Sequence, residues 1–338
     1  MFYNILITGA NGFCGKMAKN FLKHKNFRLF LIDKYINNKA SDKIDQLDLL
    51  IYKDLDLYVK KNSINIIIHL ASEIFDQEDK LIWFNNIMCA HNIANVSVNN
   101  NSIKQIIFTS TFSLFEKNYK NKITEIDPIT AKNIYGRSKA ECERIFLSLP
   151  KKIDVTIFRC PIIIDKTRAH RIAIFFEFLK DNKTLWLVGA GNNKLHFLGI
   201  EDFYQFINRS VGKKGKNVYN IGSSKVYSLK ELFLKIIKKN KSKSKVKHLP
   251  KSITLIILWI LTKIRLIDFT SYHNTLLISN IVLDISKAQK ELNYFPKYDS
   301  FEIFNDAYLY YKNNKNNYLR GSSQKPKMKI LKLIKFFS

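Results

Sequence analysis

A short run rich in β-branched and aromatic residues, Phe2 to Ile7, leads straight into Thr8-Gly9-Ala10-Asn11-Gly12-Phe13-Cys14-Gly15. The run reads as a buried strand. The glycines at 9, 12 and 15 then require the chain to turn sharply with its backbone bare. Apolar residues recur at helical spacing after them, at Phe13, Met17, Phe21 and Leu22. One glycine permits a positive φ, the next lets backbone approach a pyrophosphate, and the last lets a helix pack closely on the strand. The start of that helix would present N–H groups and the positive end of its dipole to phosphates. An ordinary glycine-rich turn reads the same way, so a second signal is needed. It comes from the second strand, Phe27 to Ile32, which ends in Asp33. A carboxylate about 20 residues on bonds the ribose hydroxyls of NAD. It also repels a 2′-phosphate, and no arginine follows it, so the sequence favours NAD over NADP.

The first half continues in alternation. Ile64 to Leu70 is an apolar run ending His69-Leu70-Ala71-Ser72, Leu81 to Val98 has helical periodicity, and Lys104 to Ser110 is a strand. A helix begins near Ile134 and continues through Glu141 to Leu149, and the strand Val155 to Cys160 is closed by Pro161. Such alternation predicts an α/β fold with a doubly wound parallel sheet and helices on both faces. After Pro161 the pattern loosens into a helix at 172–179, a strand at 185–188, the turn Gly189-Ala190-Gly191, and further short elements. The expected organisation is a dinucleotide-binding core over 1–165, with 190–225 returning to it, and a smaller substrate lobe over 166–315. A basic amphipathic tail, 316–338, closes the chain. The segment 240–247 reads as a solvated connector. The apolar stretch Ile253 to Leu261 is too short to cross a bilayer and reads as a core helix.

Composition excludes several classes. The net charge of +28 suggests nucleic acid, but only 9 of the 56 basic residues are arginine and no nucleic-acid-binding motif appears. Cys14, Cys89, Cys142 and Cys160 are scattered without a C-x-x-C pair, which suits a reducing compartment. The seven histidines lack metal-ligand spacing, so no metal is expected. The chain enters its first strand at once, which points to a cytoplasmic protein without a signal peptide.

Tyr135-Gly136-Arg137-Ser138-Lys139 carries the chemistry. Tyrosine, with an ordinary pKa near 10, is a poor base at neutral pH. A lysine four residues on shares its helix face and supplies positive charge that favours tyrosinate. Such pairs are commonly structural. What lifts this one is its position after a strand ending in Ser110-Thr111, whose hydroxyl could align a substrate. Tyr135 is the candidate general base, Lys139 the group that lowers its pKa and bonds the nicotinamide ribose, and Thr111 the aligning hydroxyl.

On these residues the chain resembles the NAD-dependent epimerase/dehydratase family of extended short-chain dehydrogenase/reductases, over about residues 3 to 312. Further similarities are Asp54-Leu55 to the family's adenine-contacting pair, His69-Leu70-Ala71 to its fourth-strand end, and Asn86, followed by Asn92, to its asparagine helix. Arg159-Cys160-Pro161 is similar to the strand after the active-site helix. Gly189-Ala190-Gly191-Asn192, Ile200-Glu201-Asp202, Ser286-Lys287-Ala288, Glu291-Leu292 and Pro296 resemble landmarks of the substrate lobe. The resemblance implies a Rossmann-type core and a cofactor set of Gly9, Asn11, Gly12, Phe13, Gly15, Asp33, Asp54, Leu55, Leu70, Ala71, Ser72, Asn86, Ser110, Tyr135, Lys139 and Pro161. It also implies oxidation of a substrate hydroxyl through a keto intermediate, and a homodimer through the helices near 81–98 and 134–149.

Departures from the family pattern bear on the substrate. Phe112-Ser113 stands where 4,6-dehydratases carry Asp-Glu, which argues against dehydration. Arginines that grip a nucleotide diphosphate are missing: Leu195-His196 precedes Phe197, and His273 and Asn274 stand about ten residues before Asp284. Lysines would have to substitute as point charges. The leading expectation is an epimerase or oxidoreductase of a nucleotide-activated sugar. The region from Gly191-Asn192 to Phe197 also looks similar to the 3β-hydroxysteroid dehydrogenase branch, so the alternative is an oxidoreductase of a lipid or polyprenyl-linked hydroxyl. In the tail, Ile330, Leu331, Ile334 and Phe337 share one helical face among lysines, which suggests either peripheral contact of 325–337 with the inner membrane surface or a frayed or dimer-contacting end.

Overall fold

The computed structural model describes residues 2–22, 26–36, 43–74, 78–166, 173–264 and 271–320. The strands are β1 (Tyr3–Thr8), β2 (Phe27–Asp33), β3 (Asp45–Gln46), β4 (Ile66–His69), β5 (Gln105–Thr111), β6 (Asp154–Cys160), β7 (Ile162–Ile164), β8 (Leu185–Val188), β9 (Phe197–Gly199), β10 (Lys216–Asn220) and β11 (Val246–Leu249). The helices are α1 (Phe13–Lys16), α2 (Ala18–Phe21), α3 (Tyr52–Lys61), α4 (Asp79–Asn99), α5 (Ile134–Leu147), α6 (Ala173–Lys180), α7 (Ile200–Ser210), α8 (Leu229–Lys239), α9 (Lys251–Lys263), α10 (Ser271–Ile278), α11 (Ser286–Leu292) and α12 (Ser300–Arg320).

Seven parallel strands form one sheet in the order β10-β6-β5-β4-β1-β2-β3. Strands covered on both faces need apolar side chains at every position, and Ile66-Ile67-Ile68 of β4 is buried throughout. One face packs Ile5, Ile7, Ile68 and Phe158 against Phe203 and Ile207 of α7. The other packs Leu6, Ile67 and Ile106 against α3, α4 and α5 through Leu55, Ile93 and Phe146. This is the doubly wound Rossmann-type arrangement that the alternation predicts.

A second core lies beyond the C-terminal ends of the strands. Phe176 of α6 meets the rings of Phe304, Tyr308 and Tyr311 on α12, with Leu185, Phe197 and Leu232 in the same cluster. Two small parallel sheets serve this lobe, β7 with β9 and β8 with β11. The segment before β11 is anchored, for Ser242 donates to the Leu179 carbonyl and the Lys243 N–H donates to Asn182. Lys241, Lys243, Lys245 and Lys247 are exposed, as a solvated connector requires, and the segment leads directly into β11.

Two expectations change. The helix after the glycine turn is broken into α1 and α2 at Met17, whose N–H bonds back to the Cys14 carbonyl. The stretch Ile253 to Leu261 is not a core helix: it lies within α9, which has no buried residue. The tail at 325–337 lies outside the described residues. None of the described helices is long and apolar enough to cross a membrane.

Candidate active site

The sheet order reverses between β1 and β4, and a crevice forms beyond the strand ends at such a point. Here the first glycine turn meets the end of β4. Gly9 has φ +69°, and a β-carbon on it would stand 2.7 Å from the Cα of Ala71. A side chain is therefore excluded both by conformation and by space. Gly15 answers to packing alone, since a β-carbon there would fall 2.5 Å from the Cα of Ala10. Thr8 locks the junction: its Oγ1 lies 2.8 Å from His69 Nδ1 and accepts from the Ala71 N–H. His69 is sealed off, and burial, with a smaller push from Lys139, lowers its pKa to about 3.

Asp33 sits at the end of β2, where Oδ2 accepts from the Asn11 N–H at 2.9 Å and Oδ1 from the Tyr35 N–H at 3.0 Å. Turn and carboxylate are thereby fixed to each other. Asn11 donates to the Tyr35 carbonyl, while its own Oδ1 is buried without a partner. An orphaned acceptor beside a bare glycine turn and an oriented carboxylate fits the sugar-phosphate part of a dinucleotide.

Asp54 and Leu55 do not join this site. Both lie on α3; Asp54 is exposed in its first turn and Leu55 is sealed in the core beneath the sheet. The residues that leave β3 beside Asp33 are Leu47-Asp48-Leu49. Leu47 N–H bonds to the Asp33 carbonyl, and Asp48 pairs with Lys34 at 3.1 Å. Asp48-Leu49 is thus the Asp-Leu pair that follows β3 and stands beside Asp33. Asn92 of α4 holds this loop by donating to the Leu49 and Leu50 carbonyls.

Asn86 is buried on α4 and fully engaged by protein. Its Oδ1 accepts from Glu73 N–H and Ser72 Oγ, and its Nδ2 donates to the Glu73 carbonyl and Ser138 Oγ. It ties the loop after β4 to α5, so its part is to position that loop and helix.

Helix α5 starts at the Asn133 cap, whose side chain accepts from the Gly136 N–H at 2.7 Å. Gly136, next to Tyr135, packs on the turn after β5: a β-carbon there would stand 2.3 Å from the Ser113 carbonyl oxygen. Thr111 ends β5 and caps that turn, accepting from the Ser113 N–H and donating to Ser113 Oγ at 3.1 Å. The start of α5 is thus seated against the turn that carries Thr111. Tyr135 is half-buried, and Lys139 is buried with its ammonium 4.1 Å from the centre of the Phe108 ring. Burial lowers the Lys139 pKa, against smaller opposing contributions from Cys142, Cys160 and Glu143.

The face that carries Tyr135 and Lys139 continues, four residues further, to Glu143. Sequence reasoning missed this residue, although the spacing was visible. Glu143 and Arg159 of β6 form a buried pair, with Nη2 to Oε2 at 2.8 Å and Nε to Oε1 at 3.1 Å. Ser110 also donates to Glu143. Helix α5 is thereby bolted to β5 and β6. Glu116 was missed as well; its Oε1 accepts from the Lys132 and Asn133 N–H groups and braces the loop before α5. His196 does not stand in for a diphosphate-gripping arginine. It is buried, donates to the Ser223 carbonyl and accepts from the Leu283 N–H, and burial lowers its pKa to about 4.

Comparison with known proteins agrees with this fold. The chain is similar to a dTDP-4-dehydro-6-deoxyglucose reductase of Escherichia coli, 25% identical over 323 residues that cover 86% of this chain and 92% of the relative. Its fold is similar to that of a dTDP-glucose 4,6-dehydratase from Bacillus anthracis crystallised with NAD, with a TM-score of 0.71 at 18% identity over 93% of this chain and 98% of that one. A UDP-glucose 4-epimerase from Thermotoga maritima, crystallised with UDP-glucose, gives 0.72 at 18% identity over 92% and 99%. At such identity these structures speak for the fold alone. Residues 5–222 match the model of a family described as NAD-dependent epimerase/dehydratase, whose cofactor is NAD. The chain belongs to the NAD-dependent epimerase/dehydratase family.

Proposed function

We propose that the protein is an epimerase or oxidoreductase of a nucleotide-activated sugar, working through a keto form of the substrate with Tyr135 as general base. One observation carries the proposal: Gly136 seats the start of α5 on the turn held by Thr111, so base and aligning hydroxyl belong to one rigid junction. NAD, when bound, supplies the hydride acceptor. The phenol of Tyr135 takes the proton from the substrate hydroxyl, Lys139 offers the nearby positive charge, and Thr111 orients the hydroxyl. Asp33, Gly9, Gly12 and Asn11 would hold the adenosine and phosphate end, with Asp48-Leu49 beside the adenine.

The neighbours' substrates support a nucleotide sugar: the relatives include UDP-glucose 4-epimerases and the E. coli reductase acts on a dTDP-sugar. Against dehydration stand Phe112 and Ser113, both buried, at the two positions after Thr111. Neither offers a carboxyl group to expel water, and Glu116 is engaged in bracing the loop. A homodimer through α4 and α5 belongs to the same proposal; Leu81 and Phe84 of α4 remain exposed in the single chain.

The test is a panel of UDP- and dTDP-sugars, with a polyprenyl-linked alcohol as the contrasting arm, followed by reduction of bound NAD and by product analysis. Interconversion of 4-epimers or reversible keto formation is expected. A 4-keto-6-deoxy product would instead make the protein a dehydratase, and turnover confined to the lipid alcohol would replace the substrate class.

A further inference from the structure

Helix α9 has no buried residue. Ile253, Ile256, Ile257, Ile260 and Ile264 fall at i, i+3, i+4, i+7 and i+11 and all are exposed, forming one continuous apolar stripe. Trp259 stands beside it at 62% exposure. The opposite side, Thr254, Leu255, Leu258, Leu261 and Thr262, is half-buried. The helix therefore turns its more apolar face away from the protein. Lys251 and Lys263 are exposed at its two ends, and the Lys263 ammonium lies 5.8 Å from the centre of the Trp259 ring.

Charge along the sequence that flanks the helix is one-sided between Glu231 and Asp268. From Leu232 to Ile267 the chain carries nine lysines, one arginine and no acidic residue. We propose that α9 is a docking surface for an anionic lipid bilayer, lying in the headgroup plane with its isoleucine stripe in the acyl boundary. Thirteen residues make a helix about 20 Å long, short of the ~30 Å hydrocarbon core, so the helix lies on the bilayer and does not cross it. Lysines at both ends of an apolar stripe, with a tryptophan at its border, match the chemistry of an interfacial helix.

Other occupants of the stripe meet like charge. A second copy docked stripe to stripe would bring Lys251 and Lys263 against the same lysines. The C-terminal segment 321–338 carries five lysines and no acidic residue, so it repels this region as well. An anionic headgroup layer supplies the missing counter-charge. The inference does not depend on the substrate proposed above.

The experiment uses the full chain with vesicles of phosphatidylcholine alone or mixed with phosphatidylglycerol. With Trp83 and Trp186 replaced by phenylalanine, Trp259 reports directly. The expected result is binding to the mixed vesicles only, weakened by salt, with a blue shift of Trp259 and quenching by brominated acyl chains. Ile256→Asp with Ile260→Asp should lower partitioning at least tenfold with unchanged thermal stability, because both residues are already in water. Truncation at residue 320 should leave the Trp259 response in place. The proposal is overturned if the mixed vesicles are not bound, or if bound protein shows no quenching of Trp259. It is equally overturned if truncation abolishes binding while the double substitution does not, or if the double substitution changes only the oligomeric state.

Discussion

Glu143 shows how one residue can serve a site it does not enter. It shares the helical face of Tyr135 and Lys139, and its carboxylate is held by Arg159 and Ser110 in the space between α5 and the sheet. Breaking a buried pair leaves an uncompensated charge and costs about 3–5 kcal/mol. Glu143→Gln should therefore lower urea-unfolding stability by about that much, and Glu143→Gln with Arg159→Met should recover part of the loss. A single-variant loss of only a few tenths of a kcal/mol would show that the pair does not anchor the helix. At this scale the sequence was readable where spacing is local. Tyr135 and Lys139 stand one turn apart, and the glycines at 9, 12 and 15 carry their own steric reasons. It was unreadable where the partner is remote: nothing in the order of residues pairs Glu143 with Arg159. Two Asp-Leu pairs, Asp48-Leu49 and Asp54-Leu55, compete in the sequence, and β3, only two residues long, is too short to mark which of them follows the strand end.

Among elements, α6 and α9 are opposites that look alike in sequence, both short and apolar with a lysine in the last turn. Phe176 on α6 is fully buried among Phe304, Tyr308 and Tyr311. Phe176→Ala should cost about 3–5 kcal/mol in thermal or urea unfolding, through lost burial and the cavity left behind. A loss below about 1 kcal/mol would mean that the second lobe contributes little to the cooperative fold. Ile253 to Leu261 has no polar face, so periodicity could not say which side would meet the protein, and length alone suggested a core helix. The broken α1 and α2 were hidden for a similar reason, since the apolar spacing of Phe13, Met17 and Phe21 survives a tight turn at Met17. The inner strands β1, β4, β5 and β6 were the most legible elements, because full burial on two faces leaves an unbroken apolar run.

For the whole molecule, two buried histidines couple stability to pH. His69 and His196 have folded pKa values of about 3 and about 4, below the value near 6.5 expected when unfolded. The unfolded chain thus binds protons first as pH falls. The stability these groups carry is whole above about pH 6.5 and drains away as pH drops toward 4 and then 3. His196 alone accounts for something on the order of 3 kcal/mol. Its geometry agrees, since protonation would set an N–H of the ring against the Leu283 N–H. Melting temperature should accordingly fall between about pH 7 and 5, well before most carboxylates titrate; a flat profile there would contradict the burial of both rings. Fold class was legible at this scale from strand–helix alternation, whereas the edge position of β10, separated from β6 by much of the second lobe's sequence, was not. The central claim is that the phenol of Tyr135 removes the substrate proton at the junction of α5 with the Thr111 turn. Tyr135→Phe tests it most directly, with turnover on the best sugar nucleotide, NAD affinity and melting temperature measured together. The account predicts a fall in kcat of about 10²- to 10⁴-fold with NAD affinity and stability preserved. Turnover close to that of the unsubstituted protein would contradict it.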